Sequence, residues 1–419
     1  MDNNKITELL TFIKSKAVYL DYNVRINNIY NGNLSFYLKQ RLKEDLSPSS
    51  YNEAVSRLNT VNILPKLINK LSQVGQSSIV NPAGGKAFEE KYYETGLSET
   101  MQLANLMLNM FNCVAIEPIV NFDFSITNRV LNGSQFLVYS DDDVNPNKMT
   151  HFIKIINMTQ ATAHYAVYTD TEYVEFDHNG VVLNQMENPH GKIPFVYFTR
   201  NTTELMPSSQ IDTFEMVTLL PLMLTDANYA LKFQAFSIIY ALDADPSEMK
   251  LAPNVVWFLK SDEEGKKPEI GSIKPSLAID DTIASINMQY RLWLDTKNIK
   301  SNAIGMGDKE LSGIAKVIDD GDVSNDIDMQ RKLIERAEND LIDLIYLKTG
   351  DSDYNGKVAY SKISRLPETT TEKNQRIIAQ LDAGLITRVD AIRQIHNFET
   401  SEEAMAYIEL IRREKRENI

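Results

Sequence analysis

The chain has 419 residues, of which 43% are hydrophobic, 24% charged and 9% aromatic, a composition that excludes general disorder. Its 57 acidic residues outnumber the 43 basic ones, and the formal net charge of -14 argues against a partner held by a broad basic surface. The single cysteine, Cys113, excludes an intrachain disulfide and a thiolate metal cluster, which fits folding in a reducing compartment. The N-terminus lacks the pattern of a secretion signal. The longest apolar stretch, residues 219–242, is interrupted by a proline and two charged residues and predicts a buried helix rather than a membrane span.

Helices are predicted in the first part of the chain, because apolar residues recur there at three- and four-residue spacing. One stripe comprises Leu9, Leu10, Ile13, Ala17 and Leu20, and a second comprises Val61, Leu64, Leu67, Ile68 and Leu71. The stretch NPAGGK at residues 81–86 predicts a loop. Residues 99–111, rich in Leu and Met, predict a further helix that Ser98 can cap.

Strands are predicted from about residue 116 to residue 198, where segments rich in β-branched and aromatic residues alternate with turn formers. Asn179 and Gly180 lie between two of these segments, YVEFDH and VVLN. Asn-Gly is the pair preferred in two-residue hairpin turns, because both positions require a positive φ. The sequence therefore predicts a hairpin with a two-residue turn at this point.

Two long helices that bracket a small β unit are predicted next. The first runs from a serine cap at residue 208 or 209 to about residue 242, with a kink at Pro221, and the second spans about residues 277–302. Between them, residues 254–260 and 269–274 flank the charged turn SDEEGKKP and predict a β hairpin.

A third long helix is predicted from a further apolar stripe, which comprises Leu333, Ile334, Ala337, Leu341, Ile342 and Ile345. Charged residues are predicted on the opposite face of this helix, namely Arg331, Lys332, Glu335, Arg336 and Glu338. A short strand at about residues 357–363, a helix over residues 371–384 and two short terminal helices complete the chain.

The segment before the third helix, residues 317–328, is strongly acidic. It contains one glycine, no basic residue and five aspartates, namely Asp319, Asp320, Asp322, Asp326 and Asp328. A calcium loop would need a glycine six positions into an alternating acidic run, and a phosphate loop would need the pattern GxxxxGK(S/T) without carboxylates that repel phosphate. Neither pattern is present, which leaves a solvated connector or a surface that repels anions.

Signals for catalysis or metal binding are weak. DSDYNG, residues 351–356, matches the first half of a helix-loop-helix calcium site, but Lys362 occupies the position that needs a bidentate Glu. The five histidines show no HExxH spacing, and no serine lies in a GxSxG elbow. We therefore expect a polar turn at DSDYNG, no metal, no cofactor and no enzymatic activity.

The order of these elements and several short sequence motifs resemble those of the portal proteins of tailed bacteriophages, over about residues 22–407. NPHGKIPFVYFTRN, residues 188–201, is similar to the stretch that ends the wing domain of that family and leads into its first stem helix. LSGIAKVI, residues 311–318, resembles the Ser-Gly-x-Ala phrase that opens the long wing helix interrupted by the tunnel loop. Residues 368–387 are similar to the returning helix and the Gly-Leu-Ile-(Ser/Thr) turn below the crown.

The resemblance implies an α+β fold, predominantly α, with long stem helices, a small β clip and a β-rich wing. Its parts would be a wing over residues 1–207, a first stem helix over 208–243, a clip over 244–275, a second stem helix over 276–303, a returning wing over 304–384 with the tunnel loop near 317–328, and a short crown over 385–419.

The resemblance also implies a function. Portal subunits form a ring, usually of about twelve copies, through which double-stranded DNA is packaged and ejected at one capsid vertex. The expected partners are the terminase large subunit, the major capsid protein and scaffold, the head-tail adaptor, and DNA that passes without sequence-specific contact. The expected location is the virion, with assembly in the host cytoplasm and no membrane association. A soluble helical interaction scaffold and an uncharacterised hydrolase are the alternatives.

Two groups of residues would face the channel. If the five aspartates of residues 317–328 point inward, a ring would carry roughly sixty carboxylates that keep DNA from adhering; the alternative is a solvated connector. Lys297 and Lys300, three residues apart near the end of the second stem helix, would contact phosphate sparsely or would pair with acids of a neighbouring subunit.

The clip would supply the contacts at the outer end of the ring. Residues 255–260 would add strands to a neighbouring subunit, because isolated two-stranded units are marginal in water. The charged residues of the turn would then meet the terminase and the adaptor, namely Asp262, Glu263, Glu264, Lys266 and Lys267.

Overall fold

The structure is a computed structural model. It describes the chain except for residues 73–77, 80–84, 157–162, 201–202, 236–237, 243–268, 274–278, 298, 300–320, 361–369, 397, 399 and 418–419.

The N-terminal region is helical, as the three- and four-residue apolar spacing predicts. Its helices are α1 (Asn3–Ser15), α2 (Ala17–Tyr30), α3 (Leu34–Asp45), α4 (Pro48–Ser56), α5 (Leu64–Leu71), α6 (Gly85–Glu94) and α7 (Leu97–Phe111).

The region that follows α7 forms antiparallel sheets, also as predicted. Its strands are β2 (Cys113–Val120), β3 (Ile126–Leu131), β4 (Phe136–Tyr139), β5 (His151–Ile155), β6 (His164–Tyr168), β7 (Glu172–Asp177), β8 (Val182–Glu187) and β9 (Val196–Thr199). Strands β3, β2 and β9 form one sheet in that order, and β4 to β8 form a second sheet in chain order. A two-residue strand, β1 (Ser78–Ile79), pairs with β12 (Val358–Ala359).

The remaining elements include the long helices. They are α8 (Ile211–Ala235), β10 (Ile238–Leu242), β11 (Glu269–Ile273), α9 (Ile279–Thr296), α10 (Gly321–Thr349), a short 3-10 turn (Ser352–Tyr354), α11 (Thr370–Asp382), α12 (Arg388–His396) and α13 (Ser401–Glu417). The fold is therefore α+β and predominantly α, as predicted.

The chain divides into two units. One contains residues 1–308 and 322–362, and the other contains residues 309–321 and 363–419. The larger unit has two hydrophobic cores. The first packs helices α2, α3 and α5 to α10 against β2 and β9, and the second packs α1 against the inner face of the five-stranded sheet.

The predicted hairpin at Asn179 and Gly180 is present, but its turn is longer than predicted. Gly180 alone has a positive φ, of 87°, and the turn runs from Asp177 to Val181. The Asp177 carboxylate accepts hydrogen bonds from the backbone N–H groups of Asn179 and Val181, at 2.8 and 2.9 Å. This side chain replaces the backbone contacts of a two-residue turn, which is why Asn179 does not need the left-handed conformation.

The first long helix is shorter than predicted, and the small β unit uses a different first strand. Helix α8 ends at Ala235, and residues 238–242 pair with residues 269–273 in a register that places Tyr240 opposite Gly271. The β-branched and aromatic side chains of Ile-Ile-Tyr favour a strand. The prediction was a helix because the whole stretch is apolar and continues the apolar run of α8. The second strand was predicted at the correct position, and residues 254–260 lie outside the described residues.

The third long helix begins earlier than predicted, within the acidic segment. Helix α10 starts at Gly321, so residues 321–328 are helical rather than the tunnel loop expected there. Acidic residues are favourable at the start of a helix because they interact with the positive end of its dipole. The acidic run is therefore partly a helix start, while residues 317–320 lie outside the described residues.

Smaller differences concern helix starts. Helix α7 begins after Gly96, which has a φ of 58°, and not after Ser98. Helix α6 begins at Gly85, inside the stretch predicted to be a loop. In DSDYNG the Asp351 carboxylate accepts a hydrogen bond from the backbone of Asp353 at 3.0 Å, as in a polar turn.

Among the described residues, no helix is both long and apolar enough to cross a membrane.

Gly180 offers a test of how the hairpin turn packs on α1. A Cβ atom at this position would lie 3.0 Å from Leu10 Cδ1 and would also require an alanine to adopt a positive φ. We expect Gly180→Ala to lower the free energy of unfolding by about 2 kcal/mol. Gly191→Ala is the matched control, because Gly191 also has a positive φ but open space around it. Gly191→Ala should lower the free energy of unfolding by about 1 kcal/mol in urea denaturation. Equal losses in the two variants would contradict a contribution from packing on Leu10.

Candidate functional site

Helices α8 and α9 form an antiparallel pair. Strands β10 and β11 connect them at one end, and at the other end Lys297 Nζ, just after α9, lies 2.6 Å from Asp212 Oδ2 near the start of α8. Asp212 is about half exposed, so this ion pair contributes no more than about 1 kcal/mol. It marks which residues of the two helices lie side by side.

Gln210 joins the start of α8 to the end of α7. Its buried side-chain nitrogen donates to the carbonyl oxygens of Asn109 and Met110, at 2.9 and 3.2 Å. These carbonyls belong to the last turn of α7, where they lack partners within the helix. The Gln210 oxygen in turn accepts a hydrogen bond from Thr213 Oγ1 at 3.0 Å. One side chain therefore caps one helix and anchors the first turn of another.

Asn109 extends this joint to two further elements. Its buried side-chain nitrogen lies 3.0 Å from Gln330 Oε1 on α10, and its oxygen accepts from Arg200 Nη1 at 3.0 Å, just after β9. Buried amide groups are costly unless their hydrogen bonds are made. We call the set Asn109, Arg200, Gln210 and Gln330 the stem root, because it connects α7, α8, α10 and the end of β9.

The flank of α8 near its start is packed against α2 and α3. The Phe214 ring makes edge-to-face contacts with Tyr22 and Tyr37, with centroids 5.4 and 5.9 Å apart. Arg41 Nη1 lies 2.9 Å from Glu215 Oε2. Aromatic burial supplies most of the stabilisation here, because the ion pair is partly exposed.

Helix α8 continues through Pro221, whose missing N–H removes one helical hydrogen bond. Thr225 Oγ1 donates to the Pro221 carbonyl oxygen at 2.7 Å and accepts a hydrogen bond from the Asn59 backbone N–H at 2.9 Å. The loop after α4 is thus attached to the middle of α8. The first half of α8 is consequently held along its length by the larger unit.

Glu338 on α10 is a fully buried carboxyl group. It accepts a hydrogen bond from the Tyr92 hydroxyl of α6 at 2.7 Å, and burial raises its pKa to about 7. Nearby Glu335 also raises the pKa, whereas the hydrogen bonds from Tyr92 and Tyr360 lower it. Glu338 was predicted on the solvent face of its helix, so this is a correction. Its position four residues after Ile334 places it within the apolar stripe.

The structure describes four of the residues predicted to face a channel or a partner. Asp262, Glu263, Glu264, Lys266, Lys267, Lys300, Asp319 and Asp320 lie outside the described residues. Asp322, Asp326 and Asp328 lie in the first turns of α10, and the Asp328 carboxylate is 2.6 Å from Arg331 Nη1. Lys297 pairs with an acid of its own chain, a partner that the sequence did not indicate.

The stem root was not predicted from the sequence. One signal was available, since Asn105 and Asn109 interrupt an apolar helix at a spacing of four residues. Their side chains lie 3.1 Å apart in the buried interior. Gln210 gave no signal, because a glutamine before a helix is ordinary. In the described part of the chain, no three His, Cys, Asp or Glu side chains are grouped so as to hold a metal ion.

No protein-family model and no curated protein matches the sequence. Solved structures that are similar in fold include two that are described as parts of gene transfer agent (GTA) particles. A chain of "Virion of native gene transfer agent (GTA) particle" is 10% identical, with a TM-score of 0.44 over 80% of this chain and 89% of that one. A chain of "Neck of empty GTA particle computed with C6 symmetry" is 10% identical, with a TM-score of 0.43 over 79% and 88%. A likeness at this level does not bear on function.

Removing the Gln210 side chain should weaken the stem root. Gln210→Ala leaves two helix-end carbonyls and the Thr213 hydroxyl without their buried partner, and we expect a loss of about 2 kcal/mol in the free energy of unfolding. Gln289→Ala, on the exposed side of α9, is the control and should stay within about 0.5 kcal/mol of the wild type in urea denaturation. Similar losses in both variants would contradict the role of Gln210.

Glu338 should make stability depend on pH. Its folded-state pKa lies above the ordinary value of 4.5, so between pH 4.5 and about 7 the unfolded chain loses this proton while the folded chain keeps it. Folding stability should therefore fall as the pH rises through that window, by up to about 3 kcal/mol from this group. Glu338→Gln removes the ionisation but keeps an oxygen for the Tyr92 hydroxyl.

The measurement is urea denaturation of both proteins at pH 5 and pH 8. The Gln variant should gain stability relative to the wild type at the higher pH. Asp340→Asn, an exposed change on the same helix, serves as the control. If the two proteins differ in free energy of unfolding by the same amount at both pH values, the pKa of Glu338 is not raised in the folded state.

Proposed function

We propose that this chain is a portal subunit of a tailed phage or phage-like particle, a non-enzymatic structural protein that forms a ring-shaped DNA channel. The observation that carries the proposal is the unit α8, β10, β11 and α9, in which two long antiparallel helices carry a small sheet at one end. This unit lies between a β-rich region and a third long helix, in the order of wing, stem, clip, stem and wing. The phrases at residues 188–201 and 311–318 support the same order.

The dimensions and attachment of the helix pair suit a channel wall. Helix α8 has 25 residues and α9 has 18, which correspond to lengths of roughly 38 and 27 Å. The stem root fixes the start of α8 to α7 and α10 through buried hydrogen bonds. A wall attached in this way can bear lateral load while DNA passes.

The charge of the chain suits a channel that must not bind its contents. Every phosphate neutralised by a basic side chain releases counterions and strengthens non-specific binding. With a net charge of -14 per chain, a ring of about twelve copies would carry roughly 170 negative charges. We propose that Asp319, Asp320, Asp322, Asp326 and Asp328 contribute to the DNA-facing surface, with part of that surface helical rather than a loop.

The contacts at the outer end of the ring follow from the small sheet. A two-stranded sheet such as β10 and β11 is marginal by itself, which favours pairing with a neighbouring subunit. We propose that Asp262, Glu263, Glu264, Lys266 and Lys267, which connect these strands, meet the terminase large subunit and later the head-tail adaptor. The major capsid protein and scaffold would contact the ring elsewhere, in the host cytoplasm during assembly and in the virion afterwards.

Native mass spectrometry tests the assembly. The monomer has a mass of 47.6 kDa, and a ring of about twelve copies would have a mass of roughly 570 kDa with a central hole in negative-stain images. A protein that stays monomeric at micromolar concentration, even with capsid and scaffold proteins present, would contradict the proposal and favour the interaction scaffold. Hydrolase activity in a monomer would favour the enzyme alternative.

A charge-neutral variant tests the DNA-facing role of α10. In Asp322→Asn with Asp326→Asn, we expect slower packaging, because a neutral surface lets DNA adhere, and a larger effect at low salt. If the aspartates only stabilise the helix start, the variant should lose up to about 1 kcal/mol of stability and package normally. Packaging rate at two salt concentrations, with thermal melting as the control, separates the two outcomes.

A further inference from the structure

Strand β8 lies at one edge of the five-stranded sheet, and in the described part of the chain no strand pairs with its outer side. All residues of β8 are exposed. The strand at the opposite edge, β4, is different, because Phe136, Leu137 and Val138 are at most 1% exposed. The sheet therefore has one covered edge and one open edge.

The direction of the backbone groups on the open edge follows from the pairing of β8 with β7. The Asn188 backbone N–H donates to the carbonyl oxygen of the residue before β7, at 2.8 Å. In an antiparallel pair the N–H groups of successive residues point to alternate sides, so those of Asn184 and Met186 also point to β7. The N–H and C=O groups of Gln185 and Glu187 point away from the sheet, where a further strand could bind them.

The usual protection of an edge strand is mostly missing from β8. Natural edge strands are blunted by lysine, by proline or by a bulge. The sequence of β8 contains no lysine and no proline. A bulge is present only near its start, at Leu183, because Asn184 faces Glu175 and Val182 faces Phe176 on β7. The remainder of the strand is a regular, unprotected edge.

Apolar side chains accompany the open edge. Val181, Val182, Leu183 and Met186 are 57%, 39%, 49% and 51% exposed. Scattered apolar residues are normal on a protein surface, but four within six positions of one strand form a patch. An added strand would cover part of this patch, so that apolar contact would accompany the backbone hydrogen bonds.

The charge beside this edge is negative. Residues 170–189 contain no lysine or arginine and five acidic residues, namely Asp170, Glu172, Glu175, Asp177 and Glu187. Glu172 is paired with the amino group of Met1 and lies opposite Glu187. Because alternate residues of a strand lie on opposite faces, Glu175 and Glu187 are on different faces of the sheet. Each face therefore carries a carboxylate near the open edge.

We infer that β8 is a docking edge for an extended segment of a different protein, one that contains both basic and apolar residues. The segment adds a strand to the sheet through the backbone groups of Gln185 and Glu187. Its basic side chains meet a carboxylate on whichever face of the sheet they occupy. A second copy of β8 is a poor partner, since like charges on adjacent strands repel. The inference does not depend on the proposed function, because a ring and a monomer present the same edge.

A basic extended peptide tests the edge. The probe is a short fluorescent peptide that alternates lysine and valine, added to the full chain at physiological salt. Met186→Lys places a cation on the edge, and we expect it to weaken binding roughly fivefold or more in fluorescence anisotropy. Phe122→Lys is the matched control, because it adds the same charge at an exposed residue of the β2–β3 turn. It should leave binding within about twofold of the wild type. Equal weakening in the two variants, or a wild type that does not bind the probe, overturns the inference.

A second peptide separates strand addition from attraction between charges. It has the same sequence, but all its backbone nitrogens are methylated, so that it keeps its lysines and cannot donate backbone hydrogen bonds. We expect it to bind roughly tenfold more weakly than the first peptide. If the two peptides bind equally well, charge alone holds them and the inference is wrong.

Amide hydrogen exchange locates the contact. The unmethylated peptide at saturation should slow exchange of the Gln185 and Glu187 N–H groups roughly tenfold. Binding without protection of these amides would place the peptide elsewhere and overturn the inference. Protection that needs no peptide and grows with protein concentration would identify a second copy as the occupant, which also overturns it. None of these results bears on ring formation, which native mass spectrometry of the chain without peptide decides separately.

Discussion

The amide of Gln210 is the constraint on which the arrangement of the long helices depends. It is buried where α7 ends and α8 begins, and its nitrogen donates to the Asn109 and Met110 carbonyls, which α7 itself cannot satisfy. A buried polar group without a partner costs about 1 to 3 kcal/mol, so α8 can start only where Gln210 reaches α7. The buried Asn109 amide also needs a hydrogen-bond partner and finds it in Gln330, which places α10 at the same point. Three long helices are thereby fixed to one another by hydrogen bonds rather than by apolar contact alone.

Fixing the helices at one end determines what their remaining surfaces can do. The covered faces of α8 and α9 pack within the chain, and the pair between Lys297 and Asp212 marks the register that results. Apolar side chains such as Met288 that remain outside are then held at defined heights by a rigid base. A flexible hairpin would lose that definition, because each ordered side chain has an entropic cost when a partner binds. The buried polar joint therefore fixes the positions of side chains that lie some distance from it.

The sequence predicted elements better than it predicted their ends and joints. Apolar spacing located the helices, and β-branched and aromatic runs located the strands, because those patterns follow from which faces are buried. The stretch from Ile238 to Leu242 was assigned to a helix, since a short apolar run fits either structure and only its pairing with residues 269–273 decides. Glu338 was predicted on the solvent side because it is charged, although its spacing from Ile334 places it in the apolar stripe. The stem root could not be predicted, because it depends on side chains more than ninety residues apart in the chain.

The acidic start of α10 illustrates how a structural role and the proposed channel role can require the same residues. A helix dipole favours carboxylates, worth roughly 0.3 to 1 kcal/mol each, but the effect falls off within the first turn. It accounts for Asp322, and the contact with Arg331 accounts for Asp328. Neither explanation accounts for Asp326, in the second turn of the helix, or for the two aspartates that precede Gly321. Repulsion between DNA phosphates and a ring of carboxylates has no such limit of one turn, since it acts over a Debye length of about 8 Å at physiological salt. This excess of carboxylates is what the proposed DNA channel, which must release its contents, would need.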